Sequence, residues 1–277
     1  MGGAPRETTG DGPPVTDRAP HGPRGVLWWP YAVLRTAGCW VLLAIMTTVC
    51  AAVYIPAAAV APGGRLARGI ERFWAWFILR GSNVRLTARG LDLIEPGESY
   101  IVMANHRSMY DIPVLHYLLG RGRDLRWIGK QELLRVPVFG WVVGGSRHIA
   151  IDRRNRGRAI AALKSAAAES ATGVSFVIMP EGTRSVDGRL ASFKKGGFHL
   201  AIDTGLPILP VTILDSERLM RKGEWWILPG AIEVVVSPAI ETAGEERSRL
   251  DALVERVRGE IGAVLSGWPE ETERSAR

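Results

Sequence analysis

YIVMANHRSMYDIPVL, residues 100–115, passes within sixteen positions from an apolar run to a polar turn and back to an apolar stretch. The uncharged residues Tyr100–Ala104 follow the turn residues Pro96 and Gly97 and read as a strand. Asp111 stands where a helix N-cap would stand, with Pro113 in the first turn beyond it. A strand that leaves through a short polar turn into a helix is the repeating unit of an α/β domain.

The same alternation continues on both sides. Apolar runs predict strands over 84–89, 99–104, 125–129, 148–151, 174–179, 207–214 and 232–237, and amphipathic stretches predict helices over 112–120, 156–172, 194–204 and 245–265. No internal repeat is present. The fold class is therefore α/β for a domain over 82–266. Residues 1–25, rich in Gly, Pro and charge, read as a disordered tail, and 267–277 as a flexible one.

Between the tail and the domain, residues 26–81 have a different character. Thr36–Ala61 contains no charged residue. The twenty residues ahead of Pro56, taken to divide the run, would make a helix of about 30 Å, one hydrocarbon thickness. Trp28, Trp29 and Tyr31 precede it as an interfacial belt would. Ala59–Ala61 imitates a signal-cleavage site, but the run is longer than a signal core and Pro62 follows the cut. After a Pro-Gly-Gly turn, Leu66, Ile70, Phe73 and Phe77 share one helical face and Arg65, Arg68 and Arg72 another, a pattern suited to a lipid surface. Together the two segments form a membrane-anchoring helical hairpin.

The 277 residues, 47% hydrophobic, can bury a substantial core. The net charge of +7 is unevenly spread: Arg121–Arg158 holds ten Lys/Arg against three Asp/Glu. Such a block favours an anionic partner. A nucleic acid would satisfy the charge but not the long apolar run. Cys39 and Cys50 would lie about 16 Å apart on one helix, too far for a disulfide. No nucleotide-binding glycine loop and no His-Glu-x-x-His spacing occurs, so no metal site is expected. GGSRH (144–148) falls one residue short of a hydrolase elbow.

Three constellations remain. His106 and Asp111 could be an imidazole base and the carboxylate that sets its tautomer, with the hydroxyl supplied by a substrate. Read alone, the same pair also suits a turn histidine and a helix cap. VIMPEGTRS (177–185) ends a strand in a turn where Gly182 permits close backbone approach, Thr183 can donate and Arg184 can grip a phosphate. GGSRHIAIDRRNRGR (144–158) gathers Arg153, Arg154, Arg156 and Arg158 at a helix start. GLPILPV (205–211) would shape a wall.

In this order the blocks NHRSMYD, the stretch around Ile151–Arg153, MPEGTRS and LPILPV resemble those of the glycerolipid acyltransferase family over about residues 82–240. Met179 replaces the family's usual Phe. The resemblance implies a mixed, mostly parallel sheet flanked by helices. It also implies acyl transfer from acyl-CoA or acyl-carrier protein to the hydroxyl of 1-acyl-sn-glycerol-3-phosphate, with no other cofactor. His106 would be general base and Asp111 its orienting partner. Glu181, Gly182, Thr183 and Arg184 would bind the acceptor phosphate with help from Arg153. Lys130, in GKQEL, would bind phosphate or stabilise the oxyanion. The partners would be membrane lipid, the lysophosphatidate acceptor and the donor, at a membrane site facing the cytoplasm. Alternatives are the same chemistry on glycerol 3-phosphate or another lysophospholipid, and a non-catalytic binder of anionic lipid.

Overall fold

A computed structural model of the chain describes residues 28–136, 138–146, 148–152 and 174–268, with single helical positions at 157, 161, 162 and 165. The helix expected over 156–172 lies largely outside these residues, as do Arg153, the tail 1–25 and all of 267–277 beyond Trp268. Trp268 is docked, its indole N–H donating to Asp215 Oδ2 at 3.2 Å.

The described strands are β1 (Val84–Arg89), β2 (Ile101–Ala104), β3 (Asp124–Lys130), β4 (Ile149–Ile151), β5 (Val174–Ile178), β6 (Ile208–Leu214) and β7 (Gly230–Val236). They form one sheet in the order β1-β7-β6-β2-β5-β3-β4. All neighbours run parallel except β6 and β7, so the sheet is mixed and mostly parallel, as expected. Every residue of β2, β5 and β6 is buried, because both faces of a parallel sheet centre are covered. The flanking β1 and β7 alternate between buried and open positions. Pro210, which has no N–H to give a ladder, sits one residue before the β6–β7 pairing begins at Val211↔Val236.

Strand alternation divides the core in two. Val102, Ala104, Val177, Leu209 and Val211 face one side, with Val114 and Leu115. Ile101, Met103, Phe176, Ile178 and Ile208 face the other, with Phe198, Leu200, Val257 and Ile261. The helices described end to end are α1 (Trp28–Val60), α2 (Arg65–Gly81), α3 (Asp111–Leu119), α4 (Phe139–Gly145), α5 (Gly196–Thr204), α6 (Ser216–Leu219) and α7 (Leu250–Ser266). α5 seats close to the sheet because Gly197 has no side chain: a Cβ there would stand 2.8 Å from Ile178 Cδ1.

Pro56 does not divide α1, contrary to the expectation from sequence. The helix runs through it for 33 residues, about 50 Å. Only the last turn lies beyond the proline, so one missing N–H is lost near an end where fraying already weakens the ladder. α2 folds back antiparallel on α1. Trp74 Nε1 donates to Thr47 Oγ1 at 3.0 Å, and Tyr54 and Ala58 pack on Ala67. Val41, Ile45, Val49 and Val53 form an open apolar stripe along α1 at four-residue steps. By length and composition α1 is able to cross a membrane. Its first half is fastened to the sheet domain: Arg35 donates to Ile227 O and to Ser82 O, and Trp40 Nε1 donates to Trp225 O at 2.9 Å.

Candidate active site

β2, β5 and β3 are neighbours and end on the same edge of the sheet, where Met103 and Ile128 both stand in register with Ile178. Their carboxyl ends lead into the three motifs: Asn105–Asp111, Pro180–Arg184 and Lys130–Leu133. Asn105 makes the turn out of β2. Its amide donates to Ile213 O at 2.9 Å and accepts from Ile213 N at 2.7 Å, copying a strand ladder with β6. The chain is thereby released from the sheet at His106.

Asp111 is fully buried. Its Oδ2 stands 2.8 Å from His106 Nδ1 and accepts from the backbone N–H groups of Arg107 and Ser108, each at 2.8 Å. One carboxylate thus caps the turn and holds the ring. An Nδ1–H bonded to Asp111 leaves the lone pair on Nε2. The His106 ring keeps some contact with solvent, 18% of its side chain, so a substrate can reach it.

Glu181 is 4% exposed, and both of its oxygens are occupied. Oε1 accepts from His106 N at 2.8 Å and Oε2 from Ala191 N at 3.0 Å. Burial pushes its carboxyl above the usual range, against the pull of these donors. Glu181 therefore acts on the site by bracing the His106 turn. Ser185 N donates to His106 O at 2.8 Å and closes the second link between the two motifs. Gly182 lies at φ +74°, a left-handed conformation suited to glycine, and its N–H donates to Met179 O at 2.9 Å. Thr183 is exposed and Arg184 half-buried beside it.

Lys130 ends β3, two strands from β2, and is exposed. It borders an apolar cavity of about 110 Å³ with Glu71, His116 and His148. A larger apolar cavity of about 470 Å³ lies between α1, α2 and the His106–Asp111 turn, lined there by Met109, Tyr110, Ile112 and Pro113.

Two groups at the site had no signal in the sequence. Arg107, inside the His106 motif, pairs with Glu217 of α6 at 3.1 Å, both side chains nearly buried. Lys222 reaches the Thr183–Arg184 turn: Nζ donates to Thr183 Oγ1 at 3.2 Å and to Arg184 O at 2.9 Å. Both partners come from segments far along the chain, where no local pattern marks them.

A profile of the Acyltransferase family matches residues 85–214, the span that contains all three motifs. The 1-acyl-sn-glycerol-3-phosphate acyltransferase of Pseudomonas aeruginosa is 32% identical over 196 residues, 70% of this chain and 74% of that protein. The chain belongs to the acyltransferase family. A second relative of this acyltransferase, the 1-acyl-sn-glycerol-3-phosphate acyltransferase of Cocos nucifera, is 31% identical over 82% of this chain and 73% of its own. The acyltransferase also shares its fold with the crystal structure of the 1-acyl-sn-glycerophosphate acyltransferase PlsC from Thermotoga maritima. That match has a TM-score of 0.71 at 24% identity and covers 87% of this chain and 99% of the other.

Proposed function

We propose that this acyltransferase moves a fatty acyl group from acyl-CoA or acyl-carrier protein to the free hydroxyl of 1-acyl-sn-glycerol-3-phosphate, giving phosphatidic acid. The observation that carries the reading is the 2.8 Å bond from His106 Nδ1 to buried Asp111, made directly beside the Pro180–Arg184 turn. His106 Nε2 takes the hydroxyl proton as the oxygen attacks the thioester carbonyl. The tetrahedral adduct then collapses, the C–S bond breaks, and the imidazolium returns the proton to the departing thiolate. The thioester is already activated, so no covalent enzyme intermediate is needed. Positioning of the hydroxyl contributes through orientation and the base through about 10²–10⁴-fold in rate.

Gly182, Thr183 and Arg184 receive the acceptor phosphate, with Arg153 and Lys130 as further cationic candidates. Glu181 and Asp111 hold the geometry. The apolar cavity that opens from the His106 turn to α1 and α2 suits a fatty chain. The two helices keep the site at the membrane surface, so that the chain stays in lipid while the head group meets the arginine. The donors are cytoplasmic, so the site faces that side. No cofactor beyond the donor is required.

The test uses the full chain purified in detergent, with lysophosphatidate and acyl-CoA, and thiol release as the readout. Wild type is expected to turn over and H106A to fall to background at an unchanged melting temperature. Glycerol 3-phosphate serves as the comparison acceptor. Undiminished turnover by H106A overturns the base role, and a preference for glycerol 3-phosphate overturns the acceptor.

A further inference from the structure

The segment 220–227 joins the membrane helix to the active site. Its start is held to the His106 turn by Ser108 Oγ, which donates to Met220 O at 2.8 Å. A tight turn follows: Glu224 N donates to Arg221 O at 3.2 Å, and Gly223 lies at φ +87°. Glycine at the third position of such a turn leaves Lys222 at its tip. The far end rests on α1, where Ile227 N donates to Thr36 Oγ1 at 3.3 Å and the Trp226 ring meets Trp29 edge-on at 5.2 Å. Lys222 is thus carried to Thr183 and Arg184 on a loop pinned at both ends.

We infer that Lys222 is a second cation of the acceptor-phosphate site and selects a phosphomonoester over a phosphodiester head group. This rests on the acceptor reading given above. An ammonium has three donors, and two are spent on Thr183 Oγ1 and Arg184 O. The third remains for a ligand at the turn. Among the described residues Lys222 makes no ion pair, and three acids of the site have other donors. Glu181 is occupied by two backbone donors, Glu217 pairs with Arg107, and Asp187 accepts from Ser185 Oγ and Arg189 N, each at 3.0 Å. Arg184 and Lys222 together supply two positive charges. A phosphomonoester carries about −1.5 to −2 at neutral pH and uses both, whereas a diester carries one charge and leaves one cation unmatched.

Steady-state kinetics of the full chain in detergent test this with K222M and K222R. In K222M the KM for lysophosphatidate is expected to rise about 10-fold, with kcat within about 3-fold and the KM for acyl-CoA unchanged. K222R, which keeps the charge, restores KM. The preference for lysophosphatidate over lysophosphatidylglycerol falls in K222M by the same factor. A lysine that only ties the loop would lower kcat on both acceptors alike. That result overturns the inference, as does an effect confined to the acyl-CoA KM. Calorimetric titration of lysophosphatidate micelles reads the contact without turnover. Wild type that binds but does not react refutes the proposed reaction, while a 10-fold weaker K222M still supports Lys222. Equal affinity of the two refutes it.

Discussion

The backbone N–H of His106 donates to Glu181 Oε1 at 2.8 Å, across a sequence separation of 75 residues. The same carboxylate takes the N–H of Ala191, and the carbonyl of His106 takes the N–H of Ser185. His106 is therefore held on three sides: its ring by Asp111, its N–H by Glu181 and its carbonyl by the turn that carries Arg184. The proposed base and the proposed phosphate site form one rigid unit.

Replacing His106 by Ala removes the base and is expected to lower kcat at least about 10²-fold. D111N keeps an acceptor for the Arg107 and Ser108 N–H groups. The same Oδ2 position faces His106 Nδ1, so the oxygen that keeps those donors also keeps the ring, while the charge that stabilises the imidazolium is gone; a loss of about 10²–10⁴-fold is expected. Thiol-release kinetics with a parallel melting curve checks both. Near-wild-type kcat in D111N would show that the ring does not depend on this carboxylate.

E181Q leaves one oxygen but places an NH₂ group against a backbone N–H of His106 or Ala191. One donor loses its acceptor, at about 1–3 kcal/mol. The melting temperature should fall by about 2–10 °C, and activity by about 10–100-fold as the ring shifts. Activity that survives a clear drop in melting temperature would separate stability from positioning and remove Glu181 from the site.

The Arg107–Glu217 pair is nearly buried at 10% and 8% side-chain exposure. Breaking it from either side takes the counter-charge from a nearly buried group, so R107M and E217M should each destabilise by about 1–3 kcal/mol. The double variant R107M/E217M should cost less than the two singles together, since neither charge is then left behind. Denaturant unfolding of the four proteins measures the coupling, and strict additivity would refute it.

The titratable groups Tyr54, Glu71, His116 and His148 line the cavity at the junction of α1, α2, α3 and β3. Burial drives His116 down to about 3 and His148 down to about 4. His116 Nε2 accepts from the Trp127 indole at 2.6 Å, which only an unprotonated nitrogen can do. Burial raises Glu71 to about 7, so its 3.8 Å approach to His148 is a contact between groups that favour neutrality. For the histidines, the unfolded chain binds more protons below pH of about 6.5. Their contribution is whole above that value and is lost as pH falls toward 4 and 3. Glu71 contributes fully below pH of about 4.5 and loses its share as pH rises to 7. Melting curves from pH 4 to 8 should show H116Q flattening the acid limb and E71Q flattening the opposing decline toward pH 7. Parallel curves for wild type and both variants would refute the assignment.

The strands were legible because composition acts locally. β2, β5 and β6 are covered on both faces, so their runs carry almost no charge and announce themselves. The His106–Asp111 bond was legible too, since five residues of turn bring the pair together whatever the rest of the chain does. The extent of α1 was not. Pro56 is a strong local signal for a break, yet one missing hydrogen bond near a helix end is outweighed by packing of Tyr54 and Ala58 on α2.

From the order of its residues alone, this chain is committed to alternating strands and helices, an apolar N-terminal hairpin, and a histidine held by an aspartate. Those features follow from periodicity, burial and short-range turns. Which strands become neighbours is another matter, because pairing joins segments that share no local pattern. Setting β5 beside β2 made Glu181 the brace of His106, and the return of the chain after β6 brought Arg107 its partner and Thr183 its lysine. Long-range contacts of this kind exist only once the sheet has closed, since each needs a position that the backbone reaches through all the elements between.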